Sequence, residues 1–166
     1  PAAWGTYNDI DPSHGVVIDL TAGDVDAGAG AVTACDPAVY HHGVDLSFQH
    51  LQGADLTGCD LSGSLMDTTD LTGASLVGAD LRGASLGNVE MQGTDLTGAA
   101  VAGLFACAVW GEPILPAGWH QVGSCLVGPG ANLTQAPLDQ FDLSGLDLTG
   151  ANLTEAGLQF SNLSGA

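Results

Sequence analysis

The sequence predicts an all-β solenoid whose backbone turns a corner every five residues around a core of leucines. Residues 44–103 divide into twelve five-residue units without a slip, and 131–165 into seven more, shifted by two residues relative to the first block. The third residue of the unit is Leu in sixteen of the nineteen, the exceptions being Met66, Met91 and Val101. Aromatic residues are only 5% of the chain while Gly reaches 25 residues, the composition of one small unit repeated and not of a mixed core.

A period of five excludes the two ordinary secondary structures. Five residues advance about 500° around a helix, which smears the leucines over its circumference, and a flat strand alternates their faces. A coil that bends after each unit gathers all of them inside. The first position is mostly small (Ala54, Cys59, Ser64, Ala74, Ala79, Ala84, Ala99, Ala131, Ala151, Ala156), which suits a second inward place beside the leucine. Positions two, four and five hold Asp, Asn, Ser, Thr and Gly, as outward and corner residues should.

These units, A(D/N)LXX in consensus, resemble the pentapeptide-repeat family. The resemblance implies a right-handed quadrilateral β-helix in which four units make one coil and the third residue points to the axis. It places Leu46, Met66 and Leu86 in one column, Leu51, Leu71 and Met91 in the next, then Leu56, Leu76 and Leu96, and Leu61, Leu81 and Val101 in the last. Leu133, Leu138, Leu143, Leu148, Leu153, Leu158 and Leu163 continue the ladder. At ~4.8 Å per coil the stack is a rod of about 25 Å, and each buried leucine contributes about 2 kcal/mol before ordering entropy is set against it.

Four segments follow: an N-terminal arm or cap (1–43), three coils of repeats (44–103), an insert (104–130), and about two further coils (131–166). The arm carries Trp4, Tyr7 and Tyr40; residues 15–20 read as a strand, 22–31 as a loop, and Val17 and Ile18 are candidate plugs for the first leucine layer. The insert supplies Phe105, Trp110, Ile114, Leu115 and Trp119; Trp119 and Leu126 are expected to pack on a flank, with a recognition loop as the alternative role. Phe141 and Leu146 are large where Ala is usual, so the second block is either distended or covers another segment. Leu65 stands at an outward place, to be covered by the arm or by a partner, or else an isolated exposed leucine of the common kind. The repeats stop in mid-unit at 161–166, which would leave an open leucine layer unless the native chain continues.

Cys35, Cys59, Cys107 and Cys125 show no zinc spacing and are either two disulfides or four buried thiols. A Cys107–Cys125 bond would staple the base of the insert, and Cys35–Cys59 would pin the arm to the first coil. His41, His42 and His50 with Asp70 match no standard metal site, and Asn8, Asp9 and Asp11 lack the Gly and Glu of an EF-hand loop, so neither a metal nor a cofactor is expected.

Nineteen acidic residues face one basic side chain, Arg82. That excess disfavours direct nucleic-acid and anionic-membrane binding, and no run is long and apolar enough for a membrane span. Outward acids align in columns: Asp60 with Asp80; Asp70 with Glu90 beyond His50; Asp55 with Asp95. They read as solvated surface, a cation row or a protein-binding stripe. No nucleophile motif is present, so catalysis is not expected.

The functional expectation is a non-enzymatic structural or scaffold protein, a rigid acidic solenoid. It either assembles head to tail with copies of itself, as a filament or surface component, or presents a face to another protein. An extracellular or cell-surface location is expected, with the cytoplasm as the alternative. The family resemblance also implies a DNA-mimic inhibitor of gyrase or topoisomerase, although nothing after Gly150 reads as the helical dimerisation module of such proteins. A spacer domain within a larger protein is the third reading.

Overall fold

The computed structural model describes Cys35 and residues 40–166. Trp4, Tyr7, Val17, Ile18, the strand expected at 15–20, the loop at 22–31 and the acids Asp9 and Asp11 with Asn8 lie outside the described residues, as does nearly all of the expected cap.

Every unit but 84–88 makes its corner by the same local chemistry. The third-position carbonyl accepts the amide three residues on, as Leu51 O does from Ala54 N (3.1 Å) and Leu71 O from Ala74 N (2.8 Å). The fifth residue therefore takes a positive φ, the place where turns of this kind favour glycine; Gly73 stands at +68° and Gly93 at +69°. Where position two is Asp or Asn, its Oδ1 accepts the position-four amide two residues on, at 3.0 Å from Thr72 to Asp70 and 2.8 Å from Thr97 to Asp95. The acid that decorates the surface is thus also the brace of the turn.

Stacking repeats every twenty residues. Position-two residues pair in parallel along four ladders: Asp45–Leu65–Ser85–Phe105, His50–Asp70–Glu90–Trp110, Asp55–Ser75–Asp95–Ile114 and Asp60–Asp80–Ala100. Leu46 donates its amide to Leu65 O at 2.7 Å, and Leu65 donates to Val44 O at 2.9 Å, a pattern repeated through the first block. Asn132–Asn152, Pro137–Gly157 and Asp142–Asn162 continue the stacking above the insert. Coil one is 44–63, coil two 64–83, coil three 84–103, coil four starts at 104, coil five is 131–150 and coil six 151–166.

All twelve third-position residues from Leu46 to Val101 are buried, and so are Leu133, Leu138 and Leu143. Tyr40 belongs to the same buried cluster, where loss of water contact raises the pKa of its hydroxyl. Leu148, Leu153 and Leu158 are only partly buried, and Leu163 is 38% exposed. The departure has a simple cause. Residues 151–166 supply three sides of a coil, leaving Leu148 uncovered from above, and no described residue stacks on Leu153, Leu158 or Leu163.

Polar residues at the inward first position are satisfied by hydrogen bonds. Buried Thr69 donates its hydroxyl to Leu46 O (2.8 Å) and buried Thr94 to Leu71 O (2.7 Å), each reaching one coil back; Ser64 reaches Leu61 O at 2.7 Å. No buried side-chain N or O lacks a partner among the described residues.

Between coils four and five the stack is wedged open by a hairpin, β1 (His120–Val122) and antiparallel β2 (Cys125–Val127). At other corners of its column, 46–49, 66–69, 133–136 and 153–156, the turn closes on itself. At 106–109 the two groups bond to the hairpin: Leu126 N donates to Ala106 O (2.8 Å) and Val109 N to Ser124 O (2.9 Å). All of β2 is buried, so Leu126 enters the stack instead of lying on a flank. Pro137 explains why coil five does not reclaim the position: it stands where a ladder residue would donate an amide to the coil below, and proline has none. The blocks meet instead through Asn132 N to Leu104 O (2.9 Å) and Gly103 N to Gly130 O (2.6 Å).

Candidate functional site

The surface that carries chemistry is the outward side of the ladders. Asp60 pairs with Asp80 and Asp70 with Glu90 as direct ladder neighbours, while Ser75 stands between Asp55 and Asp95. Adjacent carboxylates are therefore one coil, about 4.8 Å, apart in backbone. Like charges that close would raise each other's pKa in isolation. The turns reverse this. Hydrogen bonds from the side chain and amide of Thr57 hold Asp55 below its usual value, those of Ser62 do so for Asp60 and those of Thr97 for Asp95. Burial pushes Asp70 upward, but the amide and hydroxyl of Thr72 and the side-chain amide of Gln52 together outweigh it. Asp55, Asp60, Asp70 and Asp95 therefore stay ionised at neutral pH.

Only one column finds a guanidinium. Arg82 Nε lies 2.8 Å from Asp80 Oδ1, and that bond with the guanidinium charge lowers the Asp80 pKa and raises that of Arg82. The pair is largely solvated, so water and salt screen it and its contribution to stability is small.

Histidines do not assemble into a site. His42 Nδ1 bonds Ser62 Oγ at 2.9 Å, His41 turns to the His42 carbonyl, and His50 stands on the second ladder below Asp70. Among the described residues no three of His, Cys, Asp and Glu are placed to hold a metal ion. No helix among them is long and apolar enough to cross a membrane.

The cysteines form two bonds, Cys35–Cys59 and Cys107–Cys125, with Cα separations of 5.0 and 4.0 Å. The first ties residue 35 to an inward position of coil one; the second ties β2 to the opened corner of coil four. Above and below that corner runs an open groove of about 660 Å³, lined by Asn88, Phe105, Cys107, Ser124, Gln135 and Pro137 among others.

Two features escaped sequence reasoning. Asp67, at a fourth position, accepts the Gly87 amide at 2.6 Å and the Ser85 hydroxyl at 2.8 Å in the coil above; Asp139 likewise accepts Gln159 N at 2.7 Å. The available signal was a fourth-position Asp twenty residues before a glycine or a polar residue. The second is the corner column Phe48, Thr68, Asn88, Ala108, Gln135 and Glu155, all non-glycine at positive φ. Leu65 remains 46% exposed.

Among solved structures, a trypsin-treated variant of QnrB1, a plasmid-mediated fluoroquinolone resistance protein, is 15% identical with a TM-score of 0.30; the match covers 75% of this chain and 62% of that one. Rfr23 from the cyanobacterium Cyanothece 51142 is 23% identical, TM-score 0.20, over 72% of this chain and 56% of its own. HetL, involved in heterocyst differentiation regulation in Nostoc sp. strain PCC 7120, is 23% identical, TM-score 0.23, over 72% and 57%. This chain thus spans about three fifths of the length of each. No curated protein matches it. The family model for pentapeptide repeats matches residues 42–67, 66–99 and 131–166 in eight copies, more than half of the chain. With a twenty-residue ladder and a leucine at its axis in every coil, the chain belongs to the pentapeptide-repeat family, whose fold is the right-handed β-helix.

Proposed function

We propose that this chain is a non-catalytic, rigid acidic scaffold, four-sided in section, that presents its outward carboxylate columns to a cationic protein surface. One observation carries the reading: Asp55, Asp60, Asp70 and Asp95 are braced by their own turns, held ionised, and left without a guanidinium or ammonium partner among the described residues. A rod of preset charge loses little side-chain freedom when a partner docks. Assembly with copies of itself is the other form of the scaffold, and rods that lengthen end to end in electron micrographs are its signature. Occupation of a DNA-binding saddle in place of DNA is a special case of the same face, tested by a gyrase supercoiling assay.

The experiment is a calorimetric titration of the purified chain with an arginine- and serine-rich peptide at rising salt. Saturable binding that weakens as salt rises, with no binding of the glutamate-and-serine counterpart, supports the reading. Equal binding of the two peptides, or none of the basic one at low salt, overturns it.

A further inference from the structure

Two exposed large apolar side chains, Ile114 and Phe160, share one edge of this rod, and a third, Trp110, stands on the adjoining face. Trp110 is 58% exposed on the second ladder and Ile114 53% exposed on the third, so the two flank one corner of coil four. Phe160, 88% exposed and at φ +61°, occupies the corner between the same two ladders in coil six. In its upper half Ile114 and Phe160 are thus apolar points set among the polar Glu112, Gln140 and Asp142. In the lower half the same corner is glycine, at Gly53, Gly73 and Gly93, bordered by Asp70 and Glu90 on one ladder and Asp55 and Asp95 on the other.

The juxtaposition is closest at Trp110. Glu90 is its direct neighbour on the ladder, and the indole is oriented by its Nε1 toward Asn88 Oδ1 at 3.4 Å. An indole face beside a carboxylate suits a guanidinium or ammonium group, which gains from the ring quadrupole and the charge together. Arg82, the chain's single Lys or Arg, sits on the diagonally opposite edge with Asp80, so the chain offers this edge neither group of its own.

We infer that this edge is a docking surface for a partner protein segment that is both basic and apolar, its arginine or lysine side chains meeting Glu90, Asp70 and the Trp110 ring, and its apolar side chains meeting Ile114 and Phe160. Charge complementarity selects the occupant. A second copy would bring like charge to like charge, and an anionic lipid surface would be repelled for the same reason. The inference rests on the scaffold reading above and adds to it the place and the apolar half of the recognition.

The test compares three peptides by calorimetry on the full chain: arginine with leucine, arginine with serine, and glutamate with leucine. The expected result is that arginine–leucine binds at least about ten-fold tighter than arginine–serine, a gain that burial of a few apolar groups supplies, and that glutamate–leucine does not bind. The paired change Ile114→Ser and Phe160→Ser should abolish that preference while leaving arginine–serine binding unchanged; Phe48→Ser, an exposed aromatic on another corner, should leave the preference intact. A preference that survives the paired change, or no preference in the parent chain, overturns the docking edge while leaving the scaffold reading standing. Loss of arginine–serine binding in the parent chain overturns both. A shift of the parent chain from oligomer to monomer on the paired change, seen by light scattering, overturns the inference in favour of self-association.

Discussion

The ring of Phe141 lies against Gly123, so near that a Cβ on that glycine would stand 2.5 Å from Phe141 Cζ. This contact joins the tip of the hairpin to coil five and explains a phenylalanine where the repeat prefers alanine. The hairpin holds the blocks apart and Phe141 closes part of the space. Gly123→Ala should destabilise the chain by about 2 kcal/mol, since it adds a clash to a residue at φ +57°. Thermal unfolding checks it, and Phe141→Leu in the same background should recover part of the loss.

Thr68 is β-branched and sits at φ +60°, where its side chain crowds its own backbone. Thr68→Gly should stabilise the protein by about 1 kcal/mol in denaturant unfolding, because the left-handed strain removed exceeds the unfolded-state entropy added. Gly73→Ala, in open space at φ +68°, should cost about 1 kcal/mol through the backbone alone.

Asp67 braces coil two to coil three through the Gly87 amide and the Ser85 hydroxyl. Asp67→Ala leaves that amide without its acceptor and should lower stability by about 1–3 kcal/mol, measured by urea unfolding. Faster hydrogen exchange at Gly87 would localise the effect.

The depressed carboxylate pKa values set the response to acid. For Asp55, Asp60, Asp95, Asp142 and Asp147 the folded value lies below the ordinary 3.8, held there by hydrogen bonds from the side chain and amide two residues on, so in that window the unfolded chain binds more protons. The stabilisation is complete above the unfolded value and is lost as pH falls through the folded ones. The melting temperature should be flat from neutral pH to about pH 5 and fall below about pH 4. A melting temperature that rises below about pH 4 would mean that repulsion within the columns outweighs the turn bonds.

Reducing Cys107–Cys125 opens a link spanning 18 residues at the wedged corner. Chain entropy makes such a loop worth about 3 kcal/mol. The Cys107→Ser, Cys125→Ser pair should lose about that much in chemical unfolding, with exchange at the Val109 and Leu126 amides rising first.

The five-residue period already contains the coil, because only a backbone bending once per unit can bury Leu56, Leu76 and Leu96 together, and turn chemistry between neighbours dictates that bend. The acid columns were legible for the same reason: a twenty-residue coil places Asp60 under Asp80 whatever the rest of the chain does. The hairpin was not legible. Its bonds to Ala106 and Val109 join groups that meet only in the folded stack, and its contact with Phe141 spans two blocks. Nor was the inter-coil role of Asp67, whose partner is close in space and twenty residues distant in sequence. Local turn energetics repeat identically along the chain and can be read unit by unit, whereas an interruption is resolved by whichever distant groups are left unpaired, and only the packed stack decides which those are.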